Sequence, residues 1–191
     1  MMTIGTMRLY CLFAGLLAGV AACGKAPHAP APVTIQEYME GQINPAGEFL
    51  FRSVQEISDG QGTRLKAPRS EAEWKAVRDQ LDVLHDAPVV LTARGLKAAP
   101  PGFKSENPSV ESSPEWIQAA VDSHRADFNR RAFRLRRAAD AAMRAARAQD
   151  PRGLQKALDG VDKACESCHL HYFYPNDKRA QQAAKEDGIV D

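Results

Sequence analysis

Four short stretches of this sequence each place a capping residue at the start of an apolar-periodic run. "TIQE" (Thr34, Glu37) and "SEAE" (Ser70, Glu73) have the reciprocal spacing in which a hydroxyl and a carboxylate satisfy each other's free amides. "SPEW" (Ser113, Pro114) and "DPRG" (Asp150, Pro151) follow the cap with proline at the first helical position, where a missing N–H costs nothing. Four helix starts spread over one chain restrict it to helical architectures.

The apolar residues after each start recur at helical spacing. Ile35, Met39, Ile43, Leu50 and Val54 form the first stripe, with Pro45 predicted to kink or break the turn before it. Trp74, Val77, Leu81 and Leu84 form the second, which Pro88 either kinks or divides. The third runs unbroken from Pro114 to about Gln149 through Ile117, Val121, Phe128, Ala132, Leu135, Ala139 and Ala142. Leu154, Leu158, Val161, Cys165, Cys168 and Tyr172 make the fourth. Strand-like alternation is absent and the turns near Asp59–Pro68 and Asp150 are short, so the expected fold is all-α, an antiparallel four-helix bundle over residues 34–175. Residues 176–191 read as a polar tail. The exception to short connections is residues 95–113, rich in Pro, Gly and Ser, of a length that is either functional or a plain crossover.

Ahead of the bundle, "MRLYCLFAGLLAGVAAC" has one basic residue, Arg8, an apolar run and a small-residue site before Cys23. This is the layout of an export signal over residues 1–22, and "VAAC" resembles a bacterial lipobox, which makes Cys23 the lipidation site. An unlipidated secretory signal or an uncleaved anchor is the competing reading. Residues 23–33 form a Pro/Ala tether. Gly24 stands where an inner-membrane retention signal has aspartate, so a periplasm-facing lipoprotein of the outer membrane is expected in preference to the inner. After the signal, 24 Lys+Arg balance 24 Asp+Glu, which argues against a nucleic-acid binder. The eight arginines between Arg125 and Arg147 read as a solvated helix face or as a docking patch for an acidic partner.

With Cys11 and Cys23 assigned to the leader, the mature domain keeps one pair, in "ACESCHLHYFYP". Cys165 and Cys168 lie three apart on a helix and present both sulfurs to one face. Two thiols so placed suit thioether attachment to the vinyl groups of one haem c, with the imidazole of His169 brought to the iron. A thioredoxin-like pair would sit at a helix N-terminus after a strand. Structural zinc would require a second ligand pair, and an i to i+3 disulfide closes a loop too small to stabilise much. Export from a reducing cytosol agrees with haem attachment.

C-x-x-C-H near the C-terminus, on the last helix of a four-helix bundle, resembles the class II cytochromes c, the cytochrome c-prime group. The resemblance covers about Thr34 to Tyr174 and is most specific at "VDKACESCHLHYFYP". It implies one covalent haem on Cys165 and Cys168 and a proximal iron ligand at His169. The basic residue that often follows the family's motif has no match before Lys178. The resemblance also implies that the first helix meets the distal face, so Met39 is the candidate sixth ligand, with ordinary core packing as the competing reading. The expected function is periplasmic electron transfer with membrane or periplasmic redox partners. An NO- or CO-binding protein with an open sixth position, guarded by Met39 or Ile43, is the alternative. No distal acid–base pair points to an enzyme. The resemblance makes a homodimer one expected assembly, with the lipid anchor as the membrane contact.

Overall fold

The computed structural model describes residues 34–186 and 188–189; the export signal, Cys23 and the tether with His28 lie outside the described residues. The described chain is mostly helical with one small hairpin. In order, it forms α1 (Ile35–Tyr38), a π-helical turn (Met39–Ile43), α2 (Asn44–Ser53), β1 (Gln55–Asp59), β2 (Gly62–Lys66), α3 (Glu71–Leu91), α4 (Pro114–Ser123), α5 (Arg125–Arg147), α6 (Pro151–Tyr172) and α7 (Lys178–Glu186).

All four caps engage. The Thr34 hydroxyl accepts from the Glu37 N–H at 3.2 Å, Ser113 from Trp116 at 3.3 Å and Asp150 from Gly153 at 3.0 Å. Ser70 and Glu73 close a full capping box, each side chain taking the other's amide. Gly153 is required by its cap, because a Cβ there would stand 2.3 Å from Asp150 Oδ2.

The turn before Pro45 stays helical but widens. Pro45 has no N–H for the Gly41 carbonyl and its ring crowds that oxygen. The preceding amide, on Asn44, reaches back five residues to the Met39 carbonyl, which is the π pattern. Pro88 neither ends nor divides α3, which runs on to Leu91.

Three expectations are corrected. The chain is not all-α, because residues 55–66 pair as an antiparallel hairpin with Ile57 opposite Arg64 and Asp59 opposite Gly62. Its turn is set by Asp59, whose carboxylate accepts the Gln61 N–H at 2.9 Å, and by Gly62 at φ 111°. The third helix is not continuous: it breaks at His124 (φ −120°, ψ 36°) into α4 and α5. There the imidazole Nδ1 donates to the Ala120 carbonyl at 3.2 Å beside the backbone amide, and Tyr172 Oη donates to the His124 carbonyl at 3.3 Å. The 176–191 tail contains α7, whose Ala184 is buried and whose Gln181 Nε2 donates to the Leu170 carbonyl at 2.9 Å.

The core forms where α2 packs on α3, α3 on α5 and α5 on α6. Leu50, Leu81, Leu84, Ala142, Leu154 and Val161 are removed from solvent in it, which supplies the main stabilisation. Helices α3 and α5 run in opposite directions, tied by Gln149 Nε2 to Glu71 at 2.6 Å near one end and by Arg136 Nε to the His85 carbonyl at 2.9 Å further along.

Candidate functional site

Helix α6 begins as ordinary core and ends as a site. Leu154, Leu158 and Val161 are buried on one face, and the next positions on that face, Cys165 and Cys168, line a cavity of ≈ 310 Å³. His169, one turn beyond Cys165, lines the same cavity. Met39 and Ile43 from the π-helical turn line the same cavity, so residues from both the first and the last core helices border it. Ile117, Val121, Phe128 and Leu135 complete an apolar lining from α4 and α5.

The long connection after α3 closes over this cavity, with Phe103, Glu106 and Glu111 among its lining residues. Near its start, the Ile35 amide donates to the Lys97 carbonyl at 2.7 Å, and the Ala98 amide donates to Gln118 Oε1 at 2.8 Å. Near its end, the Ser112 amide donates to the Phe173 carbonyl at 2.7 Å. In between, Glu111 accepts from the Ser105 hydroxyl and from the Asn107 amide, bonds that hold its carboxyl below the usual range.

The electrostatics of the thiols and imidazole follow from this burial. Desolvation, then the charges of Asp162, Cys168 and Glu166, pushes Cys165 up to about 12. Burial likewise pushes Cys168 up to about 12, against the opposing pull of Arg131. Both are unbridged thiols that stay protonated at neutral pH, the reverse of a thioredoxin-type nucleophile. Burial lowers the pKa of His169, partly opposed by Glu166 and Asp162, so its imidazole is neutral and fit to be a ligand. Among the described residues its ring has no hydrogen-bond partner and lies 6.1 Å from the rings of Phe173 and Tyr174. Among the described residues no group of three or more His, Cys, Asp or Glu is placed to hold a metal ion by itself.

Several supporting residues around the thiols were not singled out as site members by the sequence. Ser167, between the two cysteines, is a buried polar residue, and Arg131 Nη1 donates to its carbonyl at 2.8 Å and its hydroxyl at 2.7 Å. Arg131 Nε donates to Asp127 at 2.6 Å, and the single O–H of Tyr172 is shared between the same carboxylate at 3.1 Å and the His124 carbonyl at 3.3 Å. One of the eight arginines is therefore a strut that fixes the thiol-bearing turn to α5. Tyr174 Oη donates to Glu166 at 2.6 Å beside His169. The one available clue was that Arg131 follows Phe128 of the third apolar stripe by three residues, one turn along the same helix. The other described histidines lie outside this cavity: His85 faces Asp86 and Asp140, His124 sits at the α4–α5 break, and His171 lies 3.7 Å from Asp127.

Two thiols and a neutral imidazole on one helical turn, opening into an apolar cavity within a mostly helical chain, fit a covalently attached haem of the kind c-type haem proteins carry. The cytochrome C' family model matches residues 93–172, ending on the last residue of α6, and this match supports a cytochrome c-prime-like class II cytochrome. The family implies a covalently bound c-type haem. Comparison with curated proteins and with solved structures finds no match.

Proposed function

We propose that this chain is an electron-transfer cytochrome carrying one haem on Cys165 and Cys168, with His169 as proximal ligand and Met39 as sixth ligand. The helices spanning 35–53, 71–91, 114–147 and 151–172 are read as the class II four-helix bundle around that group. The observation that carries the reading is the shared cavity: both thiols, His169 and Met39 come from opposite ends of the chain to line one apolar space. When bound, the haem iron supplies a one-electron redox centre, with an imidazole–thioether ligand pair raising its potential. The protein's part is to hold it still and dry. Arg131 and Asp127 fix the thiol-bearing turn, the apolar wall excludes water, and residues 95–113 cover the opening.

Ile43, Ile117 and Val121 beside Met39 favour a second reading, in which the sixth position stays open behind apolar side chains and binds NO or CO. A carrier, not an enzyme, is proposed in either case. We place it on the periplasmic side, tethered through a lipid on Cys23 to the outer membrane rather than the inner. Its proposed partners there are redox proteins, and a homodimer is its proposed assembly. Among the described residues no helix is long and apolar enough to cross a membrane.

The ferric spectrum of protein matured in a c-type assembly host tests the ligand set. Electron transfer predicts a low-spin form with a sulfur-to-iron charge-transfer band that Met39→Ala abolishes. A high-spin ferrous form that takes up CO rapidly would remove Met39 as ligand and establish the open-site reading.

A further inference from the structure

A second cleft of ≈ 850 Å³, which shares Arg131 with the thiol cavity, is lined from α4, α5, α6 and α7. Leu170 and Trp116 contribute apolar surface, and Arg131, Arg134, His124 and His171 supply four cationic or protonatable groups. Arg131 is already committed to Asp127 and to Ser167. Arg134 is not: among the described residues its hydrogen bonding is one 3.4 Å contact from Nη1 to the Ser167 hydroxyl, and it has no carboxylate partner. The acidic group adjoining the cleft, Asp127, is shared between Arg130, Arg131 and, at 3.7 Å, His171. Among the described residues the guanidiniums of Arg130, Arg131 and Arg134 outnumber this one carboxylate, and a guanidinium with spare donors is suited to the forked oxygens of a phosphate group.

We propose that this cleft is a site for a phosphate-type oxyanion, held chiefly by Arg134 with Arg131 beside it, and that its occupancy lowers the reduction potential of a haem held in the thiol cavity. The coupling has a physical route. Arg131 lines both cavities, and its Nη1 holds Ser167, which stands between the two attachment cysteines. Negative charge delivered there offsets the guanidinium field and favours the more positive, oxidised centre. Linkage then requires phosphate to bind the oxidised protein more tightly than the reduced. This second clause rests on the haem reading given above, whereas the site itself does not.

Titration calorimetry of the holoprotein with inorganic phosphate, in chloride buffer of matched ionic strength, is the test. Saturable binding is expected. Arg134→Gln should weaken it by roughly tenfold or more, the loss of a charge-assisted fork. Arg144→Gln, on the exposed side of the same helix, should leave it unchanged. Spectroelectrochemical titration should show the potential falling with phosphate in the parent protein and not in Arg134→Gln. Absence of saturable binding, or equal affinity in Arg134→Gln, overturns the site. Binding with no shift in potential overturns the coupling. Calorimetry reads phosphate whether or not haem is attached, so failure of the site and failure of the haem reading are separate results.

Discussion

Replacing Asp127 with asparagine removes one charge and almost no volume from the network behind the thiol-bearing turn. The carboxylate is 22% exposed and its partner Arg131 is 16% exposed, so the pair is largely shielded from water. Asp127 Oδ2 accepts from Arg131 Nε at 2.6 Å and from Tyr172 Oη at 3.1 Å. A hydrogen bond to a charged group contributes about 1.5–3 kcal/mol and a neutral one about 1 kcal/mol. The asparagine amide keeps one accepting oxygen, so the change forfeits the charge-assisted part of both the Arg131 and the Tyr172 bonds, about 1 kcal/mol each. The Arg130 pair adds little, since that side chain is 65% exposed. The expected loss is about 2 kcal/mol, or roughly 4–8 °C in Tm for a chain of this size.

The pH dependence of that loss separates charge from shape. Burial raises the Asp127 carboxyl, but the hydrogen bond and charge of Arg131, with Tyr172 and Arg130, carry it below its ordinary value. A folded pKa below the unfolded one, which is about 3.9, stabilises the fold fully above the unfolded value. That stabilisation is lost as pH falls through the folded one. Urea melts of Asp127→Asn and the parent protein should therefore differ by about 2 kcal/mol at pH 7 and converge toward the acid end, where the parent is itself neutral at this position. A deficit under about 0.5 kcal/mol at pH 7, the range of an ordinary surface substitution, would refute the reasoning. So would a deficit that persists undiminished at the lowest pH where both proteins fold.

Leu81, fully buried on α3, should cost about 3 kcal/mol as alanine, read from the shift in denaturation midpoint at constant m. Pro45→Ala restores an amide that can bond the Gly41 carbonyl, so the π-helical turn should relax to α and rotate Met39 by about 100° against α2. In the holoprotein this should weaken or remove the sulfur-to-iron band while leaving stability nearly unchanged. A band of full intensity would mean that the wide turn does not set Met39.

The parts of the fold legible in the sequence were those written locally. Each of Thr34, Ser70, Ser113 and Asp150 announces a helix because cap and amide lie within four residues. The hairpin was hidden because its strands are nearly all exposed and carry no apolar alternation, although Asp59-Gly60 and Gly62 are turn residues flanked by Ile57 and Leu65. The break at His124 depends on Tyr172, 48 positions away, which no window over α4 and α5 contains. The site divides the same way. Cys165, Cys168 and His169 are one contiguous motif and Met39 was reached through the resemblance, whereas the presence of residues 95–113 around the same cavity follows only from packing. Arg131 looked like one of a charged run, and its burial against Ser167 is a property of two helices together.

Acid–acetone extraction of the purified protein, matured in a host that assembles c-type cytochromes, tests covalent attachment most directly. The account predicts that the haem stays with the polypeptide, that it is released when Cys165 and Cys168 are both replaced by alanine, and that either single replacement still retains it through the remaining thioether. Haem recovered in the organic phase from the unmodified protein would contradict the account at its centre.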